Sequence, residues 1–276
     1  MKAYLLLLLI LVAGCIQTVE DDKLDVIVSI LPQKEFVEAV GADHVAVDVL
    51  IPEGRSPATY DPRPSDLVNI EKADIYFRIG HIPFEKAYME RIKGLNPEMM
   101  IVDTSEDVEL RSIGGNTDPH IWLSPLAVKK QVDSIEQGLS QIDPENSETY
   151  RVNAENYKDR LDTLHEELND TLSGISGNKI MVFHPSWGYF ADEYGLEQIA
   201  IQQEGKEPTA KDLQDLIKTA EGDNISVIFV QEQFNVDIAR GIAEEIDGTV
   251  VSIDPLSEDY IENMRSIADT IAGELG

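Results

Sequence analysis

Two short stretches each present a single imidazole beside a proline: Asp118-Pro119-His120-Ile121-Trp122-Leu123-Ser124-Pro125 and Phe183-His184-Pro185-Ser186-Trp187. Proline stiffens the backbone and a tryptophan follows close behind, the setting expected of a ligand held on a rigid, partly covered wall. A third stretch, Val250-Val251-Ser252-Ile253-Asp254-Pro255-Leu256, repeats the pattern with the carboxylate of Asp254. His120, His184 and Asp254 together form a compact set of nitrogen and oxygen donors that suits Zn2+ or a similar divalent ion.

These residues need elements to position them. Short apolar runs alternate with amphipathic stretches, the pattern of βα units with parallel strands. Strands are predicted at 25–30, 45–50, 75–79 and 100–102 in the first half, and at 179–183, 198–201, 227–230 and 249–253 in the second. Helical periodicity fills the gaps at 64–72, 84–92, 209–220, 236–246 and 258–275, and a further helix begins around Pro125. Between the halves, Asp143 as N-cap, Pro144 at the first helical position and the stop signals Gly174 and Gly177 delimit one long helix. Its apolar residues Tyr150, Ala154, Tyr157, Leu161, Leu164, Leu168 and Leu172 fall three or four apart on one stripe. The predicted class is α/β: two lobes with mainly parallel sheets, 24–142 and 178–276, joined by a long rigid helix over 143–177. His184 and Asp254 then directly follow strands, where parallel sheets bind ligands, and the cleft between the lobes is where they can meet His120.

The chain opens with Lys2, an apolar run from Leu5 to Val12 and Ala13-Gly14-Cys15. That is a secretion signal over 1–14 ending in a lipobox, too short to span a bilayer as a mature helix. Cys15 becomes the lipid-bearing N-terminus and 15–23 a polar tether, so the protein is expected on the extracytoplasmic face of the cell membrane. Cys15 is the only cysteine, which excludes an intramolecular disulfide. With 52 Asp+Glu against 22 Lys+Arg the net charge is −30, which argues against nucleic acid and anionic bilayer surfaces as partners. Solubility in a salty medium explains such an excess as well as cation binding does.

Further stretches carry a resemblance: Ile51-Pro52-Glu53-Gly54, Ser56-Pro57-Ala58-Thr59-Tyr60-Asp61-Pro62-Arg63-Pro64-Ser65-Asp66, the two histidine blocks, Glu207-Pro208-Thr209 and Ile253-Asp254-Pro255-Leu256. In order and type they resemble the metal-receptor lipoproteins of zinc and manganese ABC importers, the zinc-uptake or TroA-like substrate-binding proteins, from about Val26 to the C-terminus. The resemblance implies two α/β lobes joined by a long helix, metal held between them on histidines and carboxylates, a membrane permease driven by an ATPase as partner, and a monomer. Family members place a first metal histidine where this chain has Ala58, whose methyl group coordinates nothing. His81, just after a first-lobe strand, is the best internal replacement, with water as the alternative fourth ligand. The stretch 107–117 has no histidine, so the His-rich loop of such receptors has no counterpart here.

Other candidates have plainer readings. His165-Glu166-Glu167 lacks the second histidine of a zinc protease and reads as a solvated helix face. His44 reads as an exposed turn residue, Trp122 and Trp187 as packing of the cleft wall, and Glu232 as either a support for the ligands or a solvated side chain. The expected function is capture of a divalent transition metal, Zn2+ before Mn2+. A surface adhesin clipped by metal is the alternative. A metallohydrolase is the remote one, since no activating motif is present.

Overall fold

The computed structural model describes residues 23–202, 208–231, 233–234 and 236–276. Cys15 with the signal segment, Glu207 and Glu232 therefore lie outside the described residues.

The first lobe is built on β1 (Leu24–Val28), α1 (Leu31–Gly41), β2 (Val45–Val49), β3 (Ile75–Arg78), α2 (Pro83–Leu95) and β4 (Met100–Asp103). Its four strands run parallel in the order β2-β1-β3-β4. Val28, Ile75, Tyr76 and Phe77 are completely buried, as strands covered on both faces must be. A small antiparallel hairpin, β5 (Ser112–Ile113) with β6 (Asn116–Thr117), occupies the histidine-free stretch. It was not predicted. Its two-residue strands are too short for periodicity, and the signal available was the Gly114-Gly115 pair, both with positive φ.

Two helices follow, α3 (Pro125–Ile142) and α4 (Ser147–Leu172). The Ser124 hydroxyl accepts from the Ala127 N–H at 3.0 Å and caps α3, with Pro125 at its first position. Helix α4 is flanked by 3-10 turns at Pro144–Asn146 and Ser173–Ile175, and its buried residues are the seven of the predicted stripe. The second lobe comprises β7 (Lys179–Val182), α5 (Gly188–Tyr194), β8 (Glu197–Ala200), α6 (Ala210–Gly222), β9 (Val227–Val230), α7 (Asp237–Glu245), β10 (Thr249–Ser252) and α8 (Tyr260–Leu275). Its parallel sheet has the order β10-β9-β7-β8. Read from the other edge this is second, first, third, fourth, the same order as in the first lobe. Each sheet therefore reverses its winding direction between its first and third strands, and a crevice opens beyond the carboxyl ends of those strands.

The stretch predicted as a helix at 64–72 winds instead as 3-10 turns, Pro64–Lys72. Its buried anchors Leu67 and Ile70 are three residues apart, the spacing that eclipses in a 3-10 helix. His44 is half-buried rather than exposed, edge-on to Tyr150 at 5.9 Å.

One hydrophobic core takes in β1, β3, α1, α3, α4, β7, α5 and α8, so the lobes share it, and a smaller cluster around Met181, Phe183, Ile228 and Ile242 fills the outer side of the second sheet. Helix α8 belongs to the second lobe by sequence yet reaches the first. Tyr260 packs edge-on against Phe36 at 4.9 Å, and its N–H donates to Glu35. Lys34 pairs with Glu258 at 2.6 Å. A continuous core across the lobes favours a stiff body over a hinged one.

Candidate metal centre

His184 stands just past β7 and Gln231 just past β9, on either side of the second sheet's reversal point. His120 opens the 3-10 turn Ile121–Leu123 before α3. These elements bring the two imidazoles together, with ring centroids 5.3 Å apart, and both line a cavity of about 380 Å³ between the lobes. Trp122 closes the wall beside His120, its indole N–H donating across the cleft to the Pro255 carbonyl at 2.8 Å. Phe234 stacks on His184 at 4.9 Å, and Phe183 backs Phe234.

The partners of the rings fix their tautomers. The His120 Nδ1 lies 2.7 Å from Asp118 Oδ1, which also accepts from the His120 backbone N–H. Burial pushes the Asp118 carboxyl up, but the His120 ring, the His120 N–H and Arg111 outweigh it and hold the group below its usual range. An ionised carboxylate only accepts, so Nδ1 carries the proton and Nε2 keeps the lone pair. His184 Nδ1 lies 2.7 Å from Gln202 Oε1, which by the same argument leaves its Nε2 basic. Burial, helped by the neighbouring His120, lowers the His184 pKa to about 4. The ring is therefore neutral at physiological pH, the form that binds a metal. Between pH ~6.5, the free histidine value, and about 4 the unfolded chain takes a proton that folded His184 refuses. The metal-free fold is thus expected to lose stability as pH falls through that window. Side-chain 15N NMR of His184 should titrate near 4, and a midpoint near the free value would contradict the burial argument.

Asp118 has its own support. It is fully buried, and Arg111 donates to its Oδ2 at 2.8 Å while gripping Asp192 on α5. Tyr189 donates to the Asp118 carbonyl and accepts from the Arg111 N–H. Arg111 can lie there only because position 188 is glycine: a Cβ at Gly188 would fall 1.7 Å from its Nη1. Removing the carboxylate with Asp118→Ala frees the His120 ring to turn and is expected to weaken zinc binding ~10- to 100-fold, the usual cost of losing such a partner. Competition against a chromogenic chelator reads this directly, and an unchanged affinity would show that Asp118 does not orient the ring.

The other predicted site residues lie elsewhere. Asp254 lines an adjoining recess of about 290 Å³, where its Oδ1 accepts from the Leu256 N–H at 2.9 Å and from Gln233 Nε2 at 3.2 Å. His81 is half-buried on the loop after β3 and does not line the cavity that holds the imidazoles, whereas Ala58 does. Among the described residues no three of His, Cys, Asp and Glu stand close enough to share an ion. His165 is not a solvated face residue: it is half-buried and bonds Glu193 on α5 at 2.8 Å. Trp187 packs as predicted, buried and edge-on to Phe190. Sequence reasoning missed Gln202, Arg111 and Phe234. Only Gln202 carried a signal, its position just beyond a strand end.

Comparison with known proteins bears on this geometry. Residues 26–274 match the family model of zinc-uptake complex component A, a periplasmic protein. The high-affinity zinc uptake system protein ZnuA of Bacillus subtilis is 28% identical over 92% of this chain and 88% of its own. A zinc-bound ZnuA deletion mutant superposes with a TM-score of 0.88 at 38% identity, covering 92% of this chain and 99% of that one. FpvC of Pseudomonas aeruginosa in complex with Mn2+ gives a TM-score of 0.81 at 26% identity, covering 92% and 98%. The chain belongs to the zinc-uptake complex component A family of substrate-binding proteins.

Proposed function

We propose that this protein is the extracytoplasmic receptor of a metal importer, which takes Zn2+, or Mn2+ with lower preference, on the Nε2 atoms of His120 and His184 and hands it to an ABC permease. The observation that carries the reading is the pair of neighbouring imidazoles, set edge-on with centroids 5.3 Å apart on the wall of one cavity, each with Nδ1 committed to an acceptor so that Nε2 is the nitrogen left to bind. Imidazole nitrogen suits zinc better than the harder manganese ion. The receptor acts as a monomer without enzymatic activity, anchored through lipid on Cys15. Its lobes comprise 24–142 and 178–276 around the connecting helix. The shared core and α8 support a body that closes little on loading. Expression in a strain lacking its own zinc receptor should restore growth under zinc limitation, and His120→Ala should abolish the rescue. Equal rescue by that variant would refute the assignment, whereas an adhesin would not restore uptake at all.

A further inference from the structure

Two ligands that come from different lobes serve one ion only if their spacing is held to within about 0.5 Å. On the His184 side the chain has no slack between the imidazole and α5. The Ser186 N–H donates to the His184 carbonyl at 2.8 Å, Gln231 donates to the Ser186 hydroxyl, and the Trp187 N–H donates to Gln198 Oε1 at 2.7 Å. Helix α5 starts at the next residue and is seated by Phe190, completely buried and edge-on to Trp187 and Tyr194. The same helix grips the stretch that carries His120, and it does so at both ends. The Tyr189 hydroxyl donates to the Asp118 carbonyl at 3.1 Å and accepts from the Arg111 N–H at 2.8 Å, while the Ser124 hydroxyl donates to Glu193 Oε2. Glu193 Oε1 is held separately, by His165 at 2.8 Å and the Tyr194 hydroxyl at 3.2 Å.

We infer that Tyr189 and Glu193 are positioning residues of the metal site: from one face of α5 they hold the His120 segment at a fixed distance from the His184 loop, so both imidazoles are mounted on a single element of the second lobe. This rests on the reading of the two imidazoles as the metal's anchor. Residues four apart in a helix share a face, and His120 lies between the two points that this face holds, Asp118 and Ser124. Tyr189 is buried and the Glu193 side chain is only 9% exposed, so water competes poorly for either contact. Asp118 turns the His120 ring; Tyr189 and Glu193 set where the backbone beneath that ring stands. The spacing of the pair then follows α5 rather than any small movement of one lobe against the other.

The test strips the mature protein of metal, titrates it with Zn2+ against a chromogenic chelator, and compares the visible absorption of the Co2+ form, whose bands report the geometry of the coordination shell. Tyr189→Phe keeps the ring and removes only the hydroxyl. It should lower zinc affinity ~10-fold, the lower end of the loss for groups that support metal ligands, and shift the Co2+ bands. Glu193→Ala should do the same, whereas Glu193→Gln, whose amide oxygen still accepts from Ser124, should stay within about twofold of wild type. Tyr150→Phe is the control, since it removes a hydroxyl bonded to Asp143 instead of the His120 segment, and it should leave both readouts unchanged. Unchanged zinc affinity and an unchanged Co2+ spectrum in Tyr189→Phe and Glu193→Ala would overturn the inference. Equal losses in Tyr189→Phe and Tyr150→Phe would overturn it too, because the effect would then be general loosening. In both cases the receptor reading stands as long as His120→Ala loses zinc; if His120→Ala binds zinc as tightly as wild type, that reading fails and this inference with it.

Discussion

Replacing His184 with alanine is expected to lower zinc affinity about a hundredfold or more while leaving the fold intact. A complete set of four zinc ligands is worth ~10–16 kcal/mol, so one imidazole accounts for ~3 kcal/mol, or about two orders of magnitude. The variant also leaves Gln202 Oε1 without the ring it now accepts from, and Phe234 without its stacking partner. His165→Ala is the matched control. It removes an imidazole of similar burial that is bonded to Glu193 rather than directed to the cavity, and it should change zinc affinity by less than about twofold. Competition titration with a fluorescent chelator separates the two variants. Equal losses in both would show that the effect comes from general destabilisation, and no loss in His184→Ala would remove it from the site.

The second large effect concerns stability. Glu85 is completely buried in the first lobe, where its carboxylate accepts from the Ile79 N–H at 2.7 Å, the Gly80 N–H at 2.8 Å and the Ser29 hydroxyl. Ser29 is in turn bonded to Tyr76 at 2.7 Å. The carboxylate thus pins the turn after β3, where Gly80 adopts φ +110, between the reversal point of the first sheet and the start of α2. Glu85→Ala leaves buried donors unsatisfied and opens a cavity, at an expected cost of about 4 kcal/mol. For a chain of this size that is a fall in Tm of ~10 °C. Burial pushes the Glu85 pKa up to about 7 against the pull of Ser29, the two backbone N–H groups and Arg78. A raised carboxyl pKa means that the folded state holds a proton the unfolded chain has released above ~4.3. The contribution of Glu85 is therefore fully present below that value and is lost as pH rises through about 7. The stability gap between wild type and Glu85→Ala should shrink over that range in urea titrations. A gap that widened instead would mean that the folded carboxyl ionises more easily than burial allows.

Much of this architecture was legible because the features that define it are periodic. The predicted strands overlap all eight strands of the two parallel sheets, and the α4 stripe from Tyr150 to Leu172 was read residue by residue. Both signals come from faces that must be buried whatever lies opposite them. The nearness of the two imidazoles was legible for a different reason: His120 and His184 each sit beside a proline at an element boundary. Asp254 has a similar setting. Just past a strand end it lies on the crevice edge of the second sheet, where its Oδ1 accepts from the Leu256 N–H and Gln233. Position along a strand gives the edge and not the direction of the side chain. The shared core was hidden for a similar reason, since the apolar pattern of α8 shows that one face is buried without showing that Phe36 of the other lobe covers it. Arg111 was invisible because its role depends on the missing Cβ of Gly188, far away in sequence.

Anomalous diffraction at the zinc edge from crystals of the zinc-loaded protein tests the central claim most directly. A single peak about 2.0–2.1 Å from the Nε2 atoms of both His120 and His184 is the predicted result. A peak bound to only one of the two rings, or lying outside the cavity between the lobes, would contradict it.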